Sequence, residues 1–179
     1  LDTIRALCMD PDINLDKKVY HSEMSHISRN RAIAYLLESK GYIEKNKDVE
    51  NSLHFYVKMC SLSVTAESLA GLGLILANDG IHPDTGKRLL SSQAVKIVKT
   101  LMFTCGMYDG SGEFAVRVGI PSKSGVGGGI LSVVDGEMGI GIFGPALDKK
   151  GNSVAGECVL EYMSHELHLH MFDPQRHTL

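Results

Sequence analysis

The sequence contains no tryptophan, and aromatic residues of every kind make up only 6% of it. Excess positive charge is missing too: 18 Lys and Arg stand against 21 Asp and Glu, a net charge of −3 with the eight histidines neutral. That balance argues against nucleic acid or an anionic membrane surface as the main partner, because both call for a concentrated positive field. No apolar run approaches the roughly 18–20 residues that span a bilayer. The four cysteines, Cys8, Cys60, Cys105 and Cys158, include no Cys-x-x-Cys pair. Such spacing suits reduced, buried thiols in an intracellular protein, cytoplasmic or, in a eukaryote, mitochondrial. An initiator methionine and a secretion signal are also missing, and Leu1–Leu7 has the spacing of the middle of a helix. The chain is expected to be part of a longer one.

What is present is ordinary for a globular protein: 44% hydrophobic and 22% charged residues over 179 positions. That length suffices for one domain with a real core, or for two small lobes. Helical periodicity runs over Ser22–Lys40, with Ile27, Ala34 and Leu37 inward and Gly41 as the stop. Lys45-Asn46-Lys47-Asp48 reads as a polar connector. Further helices are expected from about Asp48 to Cys60, from Ala66 to Ala77 behind a Thr65 cap, and from Gln93 to Thr104. Gly71 and Gly73 suggest that a neighbouring helix approaches closely.

After Cys105 the texture changes to glycine-punctuated segments: a loop over residues 106–112, a short amphipathic piece at Glu113–Val118, then strands. A strand from Lys123 to Val134, a turn at Asp135-Gly136 and a strand from Met138 to Phe143 form an antiparallel hairpin. Ser153 to His170 reads as a closing helix. The expected fold class is therefore α+β, with a helical lobe over about 1–104 and a sheet lobe over about 105–179 that ends in that helix.

Candidate chemistry is sparse. His165, His168 and His170 lack the one-turn spacing of a zinc helix, so no metal site is expected there. Glu23, His26, Arg29 and Asn30 share roughly one helical face, which on spacing alone is a solvated polar face. Tyr56 sits in a mostly apolar helix, whereas Tyr108 sits among small residues just ahead of Ser122-Lys123-Ser124-Gly125-Val126-Gly127-Gly128-Gly129. Glycine in a strand marks the close approach of another backbone or a ligand. A Lys-Ser-Gly entering such a strand fits either a ligand lying along exposed N–H groups or a plain edge strand. A phosphate loop is disfavoured, because there the Lys-Ser/Thr follows the glycines and opens a helix.

Lys123-Ser124-Gly125 resembles the Lys-Thr/Ser-Gly element of penicillin-binding proteins and class A β-lactamases. The block from Cys105 through Tyr108 and Gly112-Glu113-Phe114-Ala115 to Gly119-Ile120-Pro121 and Lys123 is similar to the serine-dependent glutaminases of that fold. Arg29–Ala34, Leu53–Ser61 and Leu147–Ser153 match the same family in order. The resemblance implies hydrolysis of L-glutamine to L-glutamate and ammonia through a γ-glutamyl ester on serine, with no cofactor and no metal, in a homo-oligomer (a dimer or a tetramer). It assigns Glu23 to the substrate α-ammonium, Asn30 to the α-carboxylate and Tyr56 to the substrate side chain. Tyr108 becomes the proton relay beside the nucleophile, Lys123 the positive potential that holds its hydroxyl network, and Val126 a backbone N–H donor to the oxyanion. The family's Ser-x-x-Lys pair occurs nowhere in these residues. The chain alone is thus expected to be inactive, with the nucleophile upstream. The competing classes are a non-catalytic ligand-binding or oligomerising module of this fold, and another β-lactamase-like acyl hydrolase. Glu23 with Asn30, which would clamp a zwitterion, favours an amino-acid substrate; Tyr108 and Val126 count as substrate-binding too, and Glu23, Asn30, Tyr56, Tyr108 and Val126 are expected to line one cleft.

Overall fold

The computed structural model describes residues 1–44 and 48–175, so most of the polar connector at Lys45–Asp48 lies outside the described residues. In chain order the elements are α1 (Asp2–Cys8), β1 (Asn14–Leu15), α2 (Lys17–Ser25), α3 (Ser28–Ser39), α4 (Val49–Cys60), β2 (Leu62–Ser63) and α5 (Ala66–Ala77). They continue with α6 (Ser92–Cys105), a single 3₁₀ turn (Tyr108–Gly110), α7 (Ser111–Arg117), β3 (Ser122–Ser124), β4 (Gly129–Val134), β5 (Met138–Phe143) and α8 (Val154–Glu166). Two compact units result: Asp12–Val64, and Leu1–Pro11 together with Thr65 onward.

The larger unit is built on the antiparallel sheet β3-β4-β5. Side chains alternate between the faces of a strand, and β4 uses both. Ile130 and Val134 join Met107, Phe114, Val118, Ile120, Ile140 and Leu160 of α8 in one core cluster. Leu131 and Val133 join Leu76, Ala77, Val95 and Met102 of α5 and α6 in another. Helices therefore cover both faces, the closing helix among them. On β5 the face towards α5 is glycine: a Cβ at Gly139 or Gly141 would collide with the carbonyl oxygens of Ala70 and Ala66, and one at Gly73 would come within 2.7 Å of the Gly139 Cα. Helix backbone lies directly on strand backbone there. Thr65 begins α5 with a reciprocal cap, its side chain and that of Ser68 each accepting the other's backbone N–H at 3.0 Å.

The smaller unit has a modest core, Ile27, Val49, Leu53 and Val57, and a two-residue antiparallel ladder of β1 with β2.

Several expectations change. The helix expected over Ser22–Lys40 is two helices, broken at His26–Ile27. The Ser25 hydroxyl and the His26 ring both bond the Ser22 carbonyl, competing with the backbone ladder, and Ile27 turns into the core with 3% exposure. The strand expected over Lys123–Val134 is two strands with a turn between them. Gly128 adopts φ +94°, its N–H bonds the Gly125 carbonyl at 2.9 Å, and the chain reverses. The division expected near residue 104 falls elsewhere, because α1, α5 and α6 pack in the unit that holds the sheet. Gly71 meets the end of α1, a neighbouring helix as expected, whereas Gly73 meets the strands β4 and β5. The closing helix stops at Glu166, and His168 sits at φ +53° beyond it. Only Cys8 is a buried thiol; Cys60, Cys105 and Cys158 lie on exposed helix faces, unpaired.

Candidate active site

Tyr108 follows the end of α6 and occupies φ +52°, a left-handed conformation uncommon for a residue with a bulky side chain. Its turn is tightly bonded. Met107 N–H donates to Ser111 Oγ at 3.0 Å, that hydroxyl donates to the Tyr108 carbonyl at 2.8 Å, and Gly110 N–H donates to the Met107 carbonyl at 3.0 Å. Beside it, Ser122 and Ser124 of β3 point inward and Lys123 points outward. The Lys123 ammonium lies 4.8 Å from the centre of the Tyr108 ring, within cation–π range, and donates to the Ser124 carbonyl. Ser124 N–H bonds the Gly106 carbonyl at 3.0 Å, which locks strand and tyrosine turn in register.

Val126 stands on the turn between β3 and β4. Gly125 N–H bonds Gly129 O, Gly128 N–H bonds Gly125 O, and Gly144 N–H bonds Gly128 O, each at 2.9 Å. The Val126 and Gly127 amides, between them, have no acceptor among the described residues. Gly151 closes the patch: a Cβ there would stand 3.6 Å from Tyr108 Cε2 and 3.8 Å from Val126 Cγ1. One phenol, one ammonium and two uncommitted backbone N–H groups thus stand on neighbouring turns. That is the equipment for moving a proton and stabilising an oxyanion.

Asn30 of α3 and Tyr56 of α4 line one cavity of about 360 Å³, with Ile33, Ala34, Leu37 and Leu53. An apolar lining with a few polar groups is how a small-molecule pocket is made. Glu23 is not part of that lining; it is exposed on α2, so Glu23 and Asn30 stand on two helices and not seven residues apart on one. Next to Asn30, Arg31 makes a two-pronged bond to Glu50 at 2.9 and 3.0 Å, and the Tyr35 hydroxyl adds a third at 3.3 Å. Arg31 holds the Glu50 carboxyl below the usual carboxylate range.

Other clusters are committed elsewhere. A cleft of about 340 Å³ along α6 is lined by Val95, Phe103, Pro121 and Met171. Its two carboxylates are already paired: Asp79 with Ser92 Oγ at 2.6 Å and with Arg88 at 3.1 Å, and Asp135 with Lys99. His168 bonds Asp173 at 3.0 Å, and no group of three His, Cys, Asp or Glu among the described residues could hold a metal ion. Glu113, an ordinary residue in the sequence, pairs with Lys150 at 2.7 Å, which holds its carboxyl low. Gly151, against the Tyr108 ring, and Asn152, whose amide donates to the Met107 carbonyl, carry no local sequence signal for these placements; only the match of Leu147–Ser153 to the family pointed near them.

The family model described as Glutaminase matches residues 1–172. The glutaminase of Clostridium tetani is 53% identical over 172 residues, which are 96% of this chain and 56% of that protein. The glutaminase of Clostridioides difficile is likewise 53% identical, over 96% of this chain and 55% of its own length. Among solved structures, a covalent complex of the Bacillus subtilis glutaminase YbgJ with 5-oxo-L-norleucine superposes with a TM-score of 0.89 at 40% identity, covering 96% of this chain and 60% of that one. The chain thus spans a little over half the length of the curated relatives that it matches, and no helix among the described residues is long and apolar enough to cross a membrane. On these matches and on its α+β fold, the chain belongs to the glutaminase family.

Proposed function

We propose that the protein hydrolyses L-glutamine to L-glutamate and ammonia, and that these residues supply everything except the nucleophile and its base. The observation that carries this reading is the uncommitted N–H of Val126, a residue whose side chain flanks Gly151 together with the Tyr108 ring, with Lys123 over that ring. In the scheme a serine hydroxyl, deprotonated by a lysine one helical turn away, attacks the side-chain amide carbon. The negative oxygen takes a hydrogen bond from Val126 N–H. Tyr108 passes a proton to the departing nitrogen and regains the one that the lysine took from serine, the C–N bond breaks, ammonia leaves, and a γ-glutamyl ester remains. Water then cleaves the ester to glutamate and returns the serine. Lys123, over the Tyr108 ring, keeps positive potential where negative charge develops.

Recognition falls to Glu23 for the substrate α-ammonium, Asn30 for the α-carboxylate and Tyr56 for the side chain. The pocket that joins Asn30 to Tyr56 supports the last two. A homo-oligomer is supported by the apolar residues that α3 leaves exposed, Ile33 and Leu36 among them. The three unpaired, exposed thiols suit a reducing compartment such as the cytoplasm.

The test is complementation. The 179 residues alone should release no ammonia from glutamine. Joined to the remainder of a relative that carries Ser-x-x-Lys, such as the Clostridium tetani glutaminase, they should do so at an enzyme-like rate. Release by the 179 residues alone would overturn the assignment of the nucleophile. A joined protein that binds glutamine and never hydrolyses it would instead mark a binding module.

A further inference from the structure

We propose that Asn152 is a positioning residue for Tyr108: its buried amide holds the left-handed turn and acts on the reaction only through the tyrosine hydroxyl. The inference rests on the reading of Tyr108 as proton relay given above.

A non-glycine residue at φ +52° stays there only where its surroundings over-determine it. Part of that work is local, through Ser111. The remainder comes from 45 residues away, where Asn152 Nδ2 donates to the Met107 carbonyl at 3.2 Å. That carbonyl immediately precedes Tyr108, and it also accepts the Gly110 N–H, so two donors fix its direction. Asn152 itself is clamped. Its N–H donates to Asp148 Oδ1 at 2.9 Å, its carbonyl accepts Asp148 N–H at 2.8 Å, and Lys150 N–H adds a second bond to Asp148 Oδ1 at 2.9 Å. The Lys150–Glu113 ion pair ties this loop to α7, which begins where the Tyr108 turn ends. Gly110 lies against the amide, and Gly151 against the tyrosine ring.

The amide is also wasteful as mere filler. Asn152 is 0% exposed, and its Oδ1 meets no donor among the described residues. A buried acceptor left unmatched is costly, and an apolar side chain of similar size would fill the space without that cost. The half of the amide that is used is the half that faces the Tyr108 turn.

The experiment is a double-mutant cycle in the joined enzyme described above. Tyr108→Phe should lower kcat by roughly 10²-fold or more, the range of general acid–base catalysis. Asn152→Leu should lower kcat by about 10²-fold, as a misplacement of about 1 Å does, with KM within about twofold. In the Tyr108→Phe background, Asn152→Leu should change kcat by less than about threefold, because the group it positions is already gone. Equal losses in both backgrounds would show that Asn152 acts on packing in general and would overturn the proposal. Should the leucine variant fail to fold, Asn152→Ser, too short to reach the Met107 carbonyl, runs the same cycle with the same two outcomes. A parental rate in Tyr108→Phe alone overturns both the relay and the positioning. An impaired Tyr108→Phe with additive Asn152 losses overturns the positioning only.

Discussion

The two units hold their functional residues in different ways. In the unit that carries the sheet, α5 alone buries five residues, and glycines 73, 139 and 141 bring helix and strand backbones into contact. In the Asp12–Val64 unit, α2 and α3 bury no residue of their own, and a core of four apolar side chains does the packing. Tyr108, Lys123 and Val126 belong to the first unit; Glu23, Asn30 and Tyr56 belong to the second. Groups proposed to act on bonds being broken must be held to fractions of an ångström, and two residues before Tyr108 a Cβ at Gly106 would run into the Ser122 carbonyl, so backbone packs on backbone there too. Groups proposed to recognise a charged amino acid by complementarity would tolerate a softer mount.

The largest test of this contrast is Gly141→Ala. The added Cβ runs into the Ala66 carbonyl oxygen, which is helix backbone and cannot swing away. The loss should exceed the ~1–3 kcal/mol usual for overpacking, read as a denaturant midpoint, and the sheet unit should fail to fold at moderate temperature. A change below about 1 kcal/mol would mean that the backbone contact is looser than described.

Next in size is the division of labour. In the joined enzyme, Glu23→Gln removes one charge-assisted hydrogen bond, worth about 1.5–3 kcal/mol. KM for glutamine should rise roughly ten- to a hundredfold while kcat holds. A variant that loses kcat at unchanged KM would place Glu23 with the chemistry and break the comparison.

The smallest effect is on pH dependence. Asp148 is held below the usual carboxylate range, chiefly by the Asn152 N–H, with Lys150 and Gly151 N–H adding to it. A carboxyl depressed in the folded state stabilises it at pH values above its unfolded pKa of about 3.9, and that stability is lost as pH falls through the depressed value. Asp148→Asn should therefore flatten the acid side of the thermal-stability profile below about pH 4. Glu50, depressed by Arg31, offers the matching probe in the smaller unit through Glu50→Gln. Unchanged acid profiles in both variants would show that neither bond network contributes.

Much of the frame was legible because helix starts are chemical signals. Thr65 accepts the Ser68 N–H as the expected cap should, and Asp48 accepts the Asn51 N–H where the next helix was expected to begin. The break at His26–Ile27 was not, since the apolar spacing runs straight through it and only the competing bonds to the Ser22 carbonyl interrupt the ladder. Glycines 125–129 were read as strand because a glycine run alone does not separate close approach from chain reversal; the φ of Gly128 does. Gly139 and Gly141 looked like strand interior until α5 was laid on them. Tyr108, Lys123 and Val126 were found by likeness to a family, and the structure brings these three together. Asn152 escaped because its partner is 45 residues away, and no local pattern records such a bond.

The most direct measurement is acylation of the serine in a joined enzyme whose Gly125–Val126 amide is replaced by an ester through semisynthesis. The ester deletes the Val126 N–H and keeps the shape of the turn; it leaves the Gly125 and Gly144 N–H donors in place and weakens only the Gly125 carbonyl as acceptor of the Gly128 N–H. Loss of one oxyanion donor costs roughly 10²–10³-fold, so rapid-quench acylation by glutamine should slow by that factor, while Val126→Ala retains most of its rate. Acylation at the parental rate in the ester variant would mean that the uncommitted amide plays no part in the chemistry, and would contradict the account.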